Sequence, residues 1–469
     1  MIHNFYASTL RDAFQYTPTP EQEQAIGKLA LFLDSSVERS TFLLKGYAGT
    51  GKTTLVAALV KTCIDLDMPF VLMAPTGRAA KVLSMYAGFD AATVHRTIYR
   101  QSSPEIGARF ELGFNRMRNA LFVVDEASML SSDGDKQFGS GRVMDDMLKY
   151  VFGGAPGCKL LLLGDDAQLP PVGCDFSPAL DRCVMEHFGE VSYVSMDDVV
   201  RQSAESGILF NATMLRCMIE NELYEVPRFR MDFPDIEAIN GGELMEKLQD
   251  AYDSGEREDT IVITRSNKRA NRYNEGIRRY NLSAEEAIES GDMLMVVKNN
   301  YHYTERIENC PISFMANGDI AYLKRIRRFE DFYGFHFADA ILSFGDYDDL
   351  EIECKILLDT ISSEAPSLTQ EQSRKLFDEV EKDYLDIKSK IKRFREIREN
   401  PHYNAVQVKF AYAVTCHKAQ GGQWKRVFID KCLFGDEPMT RDMLRWLYTA
   451  ITRATEKVYL VNFDDRFFE

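Results

Sequence analysis

Residues 41–66 read TFLLKGYAGTGKTTLVAALVKTCIDL. A short β-type run, Thr41 to Leu44, enters Gly46-Tyr-Ala-Gly-Thr-Gly-Lys-Thr53, which fits GxxxxGK[ST], and an apolar helical stretch follows. Strand, glycine turn and helix form the layout that a phosphate site requires. Glycines let backbone N–H groups approach an anion, and the helix N-terminus adds a favourable dipole. Lys52 is placed to neutralise β- and γ-phosphates and Thr53 to ligate Mg²⁺. Gly46, Gly49, Thr50, Gly51 and Thr54 complete the expected ATP contacts.

A metal-bound triphosphate also needs a carboxylate at the end of a neighbouring strand. LFVVDEAS supplies one: apolar Leu121 to Val124, then Asp125 and Glu126. A continuous apolar run suits a strand buried on both faces of a parallel sheet, and ligands gather at the carboxyl ends of such strands. Asp125 is expected to hold Mg²⁺, and Glu126 to orient and deprotonate the attacking water. A third run, KLLLL, ends in GDDAQLPPV, Gly164 to Val172. Its Gln168 is an uncharged amide just past a sheet edge, suited to sensing a γ-phosphate; a proline-rich turn is the plainer reading of the same residues.

At 469 residues, two to four domains are expected. No run approaches the ~20 apolar residues that span a bilayer, and the start, MIHNFYASTLRDAF, lacks a secretory pattern. Nine cysteines without a CxxC pair suit free thiols in a cytoplasm. The net charge of −16 argues mildly against nucleic acid as a partner. Basic clusters nevertheless stand at Arg265 to Arg279, Lys324 to Arg328 and Lys388 to Arg398, readable as grip or as solvated faces.

Taken in order, these strings resemble superfamily-one DNA helicases, in the branch of RecD and the phage helicase Dda. Thr19-Pro-Glu-Gln22 is similar to the family's adenine-reading segment, with Gln22 as reader, although Gln24 is close enough to compete. APTGRAAKVLS, Ala74 to Ser84, resembles the first DNA-contacting segment, and Thr93-Val-His95 the next. Pro75, Thr76, Arg78, Thr93 and His95 then become candidate phosphate-gripping residues. Arg201-Gln202 resembles the second domain's first arginine motif. Thr415-Cys-His-Lys-Ala-Gln-Gly421 is similar to THKSQG, with Thr415, His417 and Lys418 on DNA and Gly421 toward nucleotide. Leu447-Tyr-Thr-Ala-Ile-Thr-Arg453 resembles the final motif. The resemblance implies that Arg201 and Arg453 reach the phosphates from across a cleft, where a guanidinium raises turnover by orders of magnitude.

The implied architecture is α/β: two RecA-like P-loop motor domains with parallel sheets, a small β-hairpin pin and an inserted small β-barrel with helical parts. Boundaries fall at 1–185 for the first motor domain, with the pin in 98–115. The second takes 186–320 and 405–469, and the insert 321–404. Within the insert, Thr369-x-x-Gln372 is a capping-box signature. Leu376, Val380, Tyr384, Ile387, Ile391 and Phe394 recur at helical steps. One unbroken helix over 369–398 would extend about 45 Å. Two readings stay open: an arm that braces the pin or grips DNA, and a packed two-helix cap. The implied activity is ATP- and Mg²⁺-dependent unwinding by a monomer moving on single-stranded and forked duplex DNA, 5′→3′ by resemblance. A translocase that does not unwind and a RecD-like subunit of a nuclease complex are the alternatives, and the motifs do not read the sugar of the nucleic acid.

Overall fold

Apolar runs that end in glycine or acid become the strands of two parallel sheets. The computed structural model describes residues 2–101, 110–131, 139–198, 206–308, 310–312, 314–431 and 438–469. In chain order the first strands are β1 (Ser40–Gly46), β2 (Phe70–Ala74), β3 (Ala91–Thr93), β4 (Tyr99–Gln101), β5 (Phe110–Leu112), β6 (Leu121–Val124), β7 (Lys159–Gly164) and β8 (Glu190–Met196). Six of them form a parallel sheet in the order β3-β2-β6-β7-β1-β8. Its central strands β1, β6 and β7 are buried almost throughout, as expected where helices cover both faces. The phosphate loop leaves β1 there, between β7 and the edge strand β8.

The remaining strands are β9 (Ile236–Ile239), β10 (Thr260–Thr264), β11 (Met293–Val296), β12 (Ile320–Phe332), β13 (Phe335–Phe344), β14 (Leu350–Leu357), β15 (Val406–Phe410), β16 (Ala413–Thr415), β17 (Trp424–Asp430) and β18 (Ala454–Val461). A second sheet runs β16-β10-β17-β18-β9, with every pair parallel. Between β10 and β16 the chain leaves this sheet and closes β11 to β15 into a barrel. No helix among the described residues is long and apolar enough to cross a membrane.

Three expected boundaries need correction. β8 pairs with β1 from Ser40↔Glu190 to Gly46↔Met196, so the first domain continues past residue 185. Its sequence, EVSYVSM, is that of an edge strand, without the apolar continuity that marks the central ones. The barrel begins at β11 and ends at β15, both outside 321–404, because each pairs with the other to close the ring. The stretch 369–398 is not one helix. It forms Gln370–Glu381, a turn at Lys382–Tyr384, and a second helix Lys390–Glu399 capped by Ser389. Leu376, Val380 and Ile397 pack with Phe335, Phe337 and Leu357 of the barrel, and Phe377 meets Phe394 at 5.1 Å. Folding back buries these residues, whereas Leu385 and Ile391, which a single apolar stripe would have buried, are 60% and 74% exposed. The packed two-helix cap is the form observed.

β4 and β5 pair antiparallel, Tyr99↔Leu112 to Gln101↔Phe110, and the residues joining them lie outside the described ones. Besides first-domain residues such as Asp146, side chains from the β11–β12 connection touch this hairpin. Tyr301 lies 4.4 Å from Phe110 and 4.6 Å from Phe314, and Arg96 donates to the Pro311 carbonyl at 3.3 Å. The basic clusters are paired internally in part. Arg278 forms a buried bidentate pair with Asp292, and Arg269 another with Asp430. Arg327 pairs with Glu353 and Arg393 with Glu381. Such pairing accounts for part of the positive charge, and among the described residues the helix Lys390–Glu399 keeps most of its own unpaired.

Candidate nucleotide site and strand-binding seam

The phosphate loop is shaped by Gly49 and Gly51, whose φ angles of 82° and 88° lie in the left-handed region that favours glycine. Gly51 caps the helix Lys52–Asp65, and Thr53 and Thr54 occupy its first turn. A side chain at Gly46 would meet Thr50 Oγ1 at 2.8 Å, so the loop closes tightly on itself. The Lys52 ammonium donates to the Gly46 carbonyl and, at 2.9 Å, to that of Tyr47. Reaching a phosphate requires it to swing away from these carbonyls.

Gln22 is buried beside this loop, but both ends of its amide are engaged. Its Oε1 accepts from the Thr19 N–H at 3.0 Å, completing a helix cap, and its Nε2 donates to the Thr50 carbonyl at 3.0 Å. Reading adenine would require release of one of these bonds. Gln24 is exposed.

Asp125 and Glu126 stand at the end of β6, the strand two places from β1. Asp125 is partly buried, and desolvation, with the neighbouring Glu126 charge, pushes its carboxyl up to about 6. Glu126 takes a left-handed conformation, φ 52°, and its N–H donates to Asp125 Oδ1 at 2.8 Å. The hydroxyl of Thr53 and the carboxylate of Asp125 are the hard oxygen ligands that Mg²⁺ selects, and Mg²⁺ commonly takes only one or two from protein. A cation there would also offset the desolvation of the Asp125 carboxylate. The residues therefore fit the ion. After β7, Gln168 is buried with its Oε1 unpartnered, so this acceptor is free for a ligand.

The second domain closes over this surface with the helix Arg441–Ile451 and the residues just after it. Arg453 is only 4% exposed. Its guanidinium donates to the carbonyls of Thr449 (3.1 Å) and Gly422 (3.3 Å) and to Thr452 Oγ1 (3.3 Å), and its Nη1 lies 3.8 Å from Glu126 Oε1. An arginine of one domain thus faces the carboxylate of the other. Arg201, the other expected arginine, lies outside the described residues.

The residues expected on DNA converge on a seam between all three bodies. Gly421, expected toward the nucleotide, instead lies on this seam with φ 73°, close to the first domain: a side chain there would meet Ala79 Cβ at 2.9 Å and Thr76 Oγ1 at 3.2 Å. Arg78 donates to the Gln423 carbonyl at 3.2 Å and stacks 4.0 Å from the Trp424 ring. Lys418, beyond Thr415 and His417, reaches Asn317 Oδ1 at the barrel's entry, and burial pushes its ammonium down to about 8. Pro75 precedes the helix Gly77–Ala87, where the Thr76 hydroxyl caps the Ala79 N–H at 3.2 Å; Thr93 likewise caps Arg96 at 3.1 Å. Both threonines thus have structural partners. His95 packs 5.7 Å from Tyr99 at the base of the hairpin.

Several contributors were inside the quoted strings but given no role. Asp165, in GDDAQLPP, accepts from Tyr448, in LYTAITR, at 2.6 Å; Gln420 and Thr449 both bond Leu169. Their letters were visible, but a contact between positions nearly three hundred residues apart leaves no local signature.

Residues 18–216 match the family model described as an AAA domain, and residues 410–461 match the UvrD-like helicase C-terminal domain. These matches fall on the two sheets that meet at Glu126 and Arg453. Together with the relatives below, these matches support a superfamily-one helicase of the RecD/Pif1 branch. Among helicases of this branch, the chain is similar to the ATP-dependent RecD2 DNA helicase of Deinococcus radiodurans, 36% identical over 146 residues, covering 30% of this chain and 18% of that protein. The ATP-dependent DNA helicase Dda of Enterobacteria phage T4 is 28% identical over 133 residues, 28% of each chain. The chain therefore spans under a third of the length of either helicase. A crystal structure of the Pif1 helicase from Bacteroides, in complex with ADP-AlF3 and single-stranded DNA, aligns over 97% of this chain and 95% of its own, at 14% identity and a TM-score of 0.49.

Proposed function

We propose that this chain is an ATP-driven motor that moves on single-stranded DNA and opens duplexes, probing 5′→3′ as its direction. The observation that carries the reading is the approach of Arg453 to Glu126 across the cleft, beside the phosphate loop. A nucleotide seated there would be walled by Lys52 on one side and an arginine on the other, so its γ-phosphate would bear on the distance between the domains.

Each residue has a distinct task in this reading. The loop amides and Lys52 hold the phosphates. Thr53 and Asp125 would hold Mg²⁺, which supplies charge neutralisation of the triphosphate. Glu126 accepts a proton of the attacking water, the free Oε1 of Gln168 can accept a hydrogen bond from that water beside the γ-phosphate, and Arg453, joined by Arg201, stabilises charge that develops in the transition state. On the seam, Arg78, His95, Thr415 and Lys418 contribute donors to phosphate oxygens. That grip is independent of base sequence, and relative motion of the domains would shift it along the strand. RecD2 and Dda, named as ATP-dependent DNA helicases, support the choice of DNA.

The paired β4–β5 arms favour unwinding over translocation alone, because a hairpin beside the seam can part a fork. Strand displacement on duplexes with either a 5′ or a 3′ single-stranded tail tests unwinding and polarity together. ATP-dependent opening of the 5′-tailed fork is expected. ATP turnover without opening of either substrate would leave a translocase, and absence of DNA-stimulated turnover would refute the motor.

A further inference from the structure

The second domain holds the phosphate loop itself by two contacts that the nucleotide chemistry does not require. The Tyr448 hydroxyl accepts from the Ala48 N–H at 3.1 Å while donating to Asp165 Oδ2 at 2.6 Å, and the side chain is almost wholly buried. One residue earlier, the Tyr47 phenol donates to Glu220 Oε1 at 2.5 Å, and the Arg216 guanidinium lies 4.3 Å from the Tyr47 ring. Glu220 and Arg216 belong to the helix Gly207–Glu220, and Tyr448 to Arg441–Ile451. Both helices contribute to the core of the second domain, and the Tyr47 ring packs against that core.

Tyr47 and Ala48 are variable positions in GxxxxGK[ST], so phosphate recognition asks nothing of their side chains. We propose that they form a handle by which the second domain positions the phosphate loop, with Tyr448 and Glu220 as positioning residues. The inference rests on the motor reading above. An anion drawn into the loop competes for its amides, and the Ala48 N–H is already shared with the other domain. Tyr448 stands five positions before Arg453, and Asp165 three before Gln168. A shift in the handle is therefore passed to the arginine and to the free amide oxygen together. Loop occupancy and domain position become linked at a point separate from the arginine.

Tyr448→Phe and Tyr47→Phe each retain a ring and remove one hydroxyl. The assay is steady-state ATP turnover with and without oligo(dT), with kcat and KM for ATP measured separately. For each variant we expect KM to stay within about threefold, while stimulation by the oligonucleotide falls about tenfold for Tyr448→Phe, the scale of one lost buried hydrogen bond, and about threefold for Tyr47→Phe, whose bond to Glu220 is exposed. Tyr47 is half-buried, so Tyr47→Phe carries the test if Tyr448→Phe does not fold. Full stimulation in the folded variants, or loss confined to KM, overturns the handle. A wild-type chain that hydrolyses ATP while Lys52→Ala does not separates that failure from failure of the motor reading; wild-type inactivity sinks both.

Discussion

Arg453→Lys is the substitution with the most exacting expected outcome. The guanidinium is held by three hydrogen bonds from within its own domain, and Nη1, which donates to Gly422, also lies 3.8 Å from Glu126 Oε1. Lysine retains the charge but not the fork, and its ammonium cannot make the three bonds and face the cleft at once. Losing one or two neutral acceptor contacts costs about 1–3 kcal/mol of stability, which a chain of this size tolerates. Loss of a transition-state arginine costs about 10³-fold or more in turnover, or about 4 kcal/mol on the barrier. Catalysis should therefore fall much further than folding. In an assay of single-strand-stimulated ATP hydrolysis, kcat should drop about a thousandfold, with the dissociation constant of a non-hydrolysable ATP analogue changed only a few fold. Equal losses in affinity and turnover would refute the transition-state role, since that pattern marks an interaction made equally in the ground state. Unchanged turnover would refute the assignment altogether.

Lys52→Ala should abolish DNA-stimulated ATP hydrolysis while single-strand affinity, measured by anisotropy, stays largely intact. Gly421→Ala introduces a Cβ 2.9 Å from Ala79 Cβ at a φ of 73°; a loss of about 1–3 kcal/mol is expected, seen as a lower Tm with weakened single-strand binding. Burial raises Asp125 and Asp165 from about 3.8 to about 6. Because the folded values lie above the unfolded ones, their stability contribution is full below pH 3.8 and is lost as pH rises through about 6. Asp165→Asn should accordingly flatten the fall of nucleotide-free Tm over that window. The same ionisation gives kcat/KM of the wild type an acid limb near pH 6, and a profile flat to pH 5 would contradict it.

Much of the site was legible because its pieces are local. A glycine loop between a strand and a helix, and an apolar run ending in Asp125-Glu126, each carry their geometry within ten residues. The parallel sheets follow from the same runs, since a strand buried on both faces has no polar alternation to hide it. β8 escaped notice for the converse reason, as its edge position permits the serines and glutamate that break apolar continuity. The hairpin arms are paired as expected, although their tip falls outside the described residues.

Sequence by itself determined the order of the motifs, the two-sheet architecture and the chemistry available at the end of β6. Tertiary structure alone decided which of those groups are free. Gln22 is engaged at both ends of its amide, Thr76 and Thr93 serve as caps, and Arg269 and Arg278 of the basic clusters neutralise acids brought to them by folding. It also turned the 369–398 segment back on the barrel and set Tyr448 against Ala48. The physical reason is the same in each case: a hydrogen bond or a buried contact is satisfied by whichever partner arrives in space, and side-chain identity along the chain records only what a residue can bond, not what it meets.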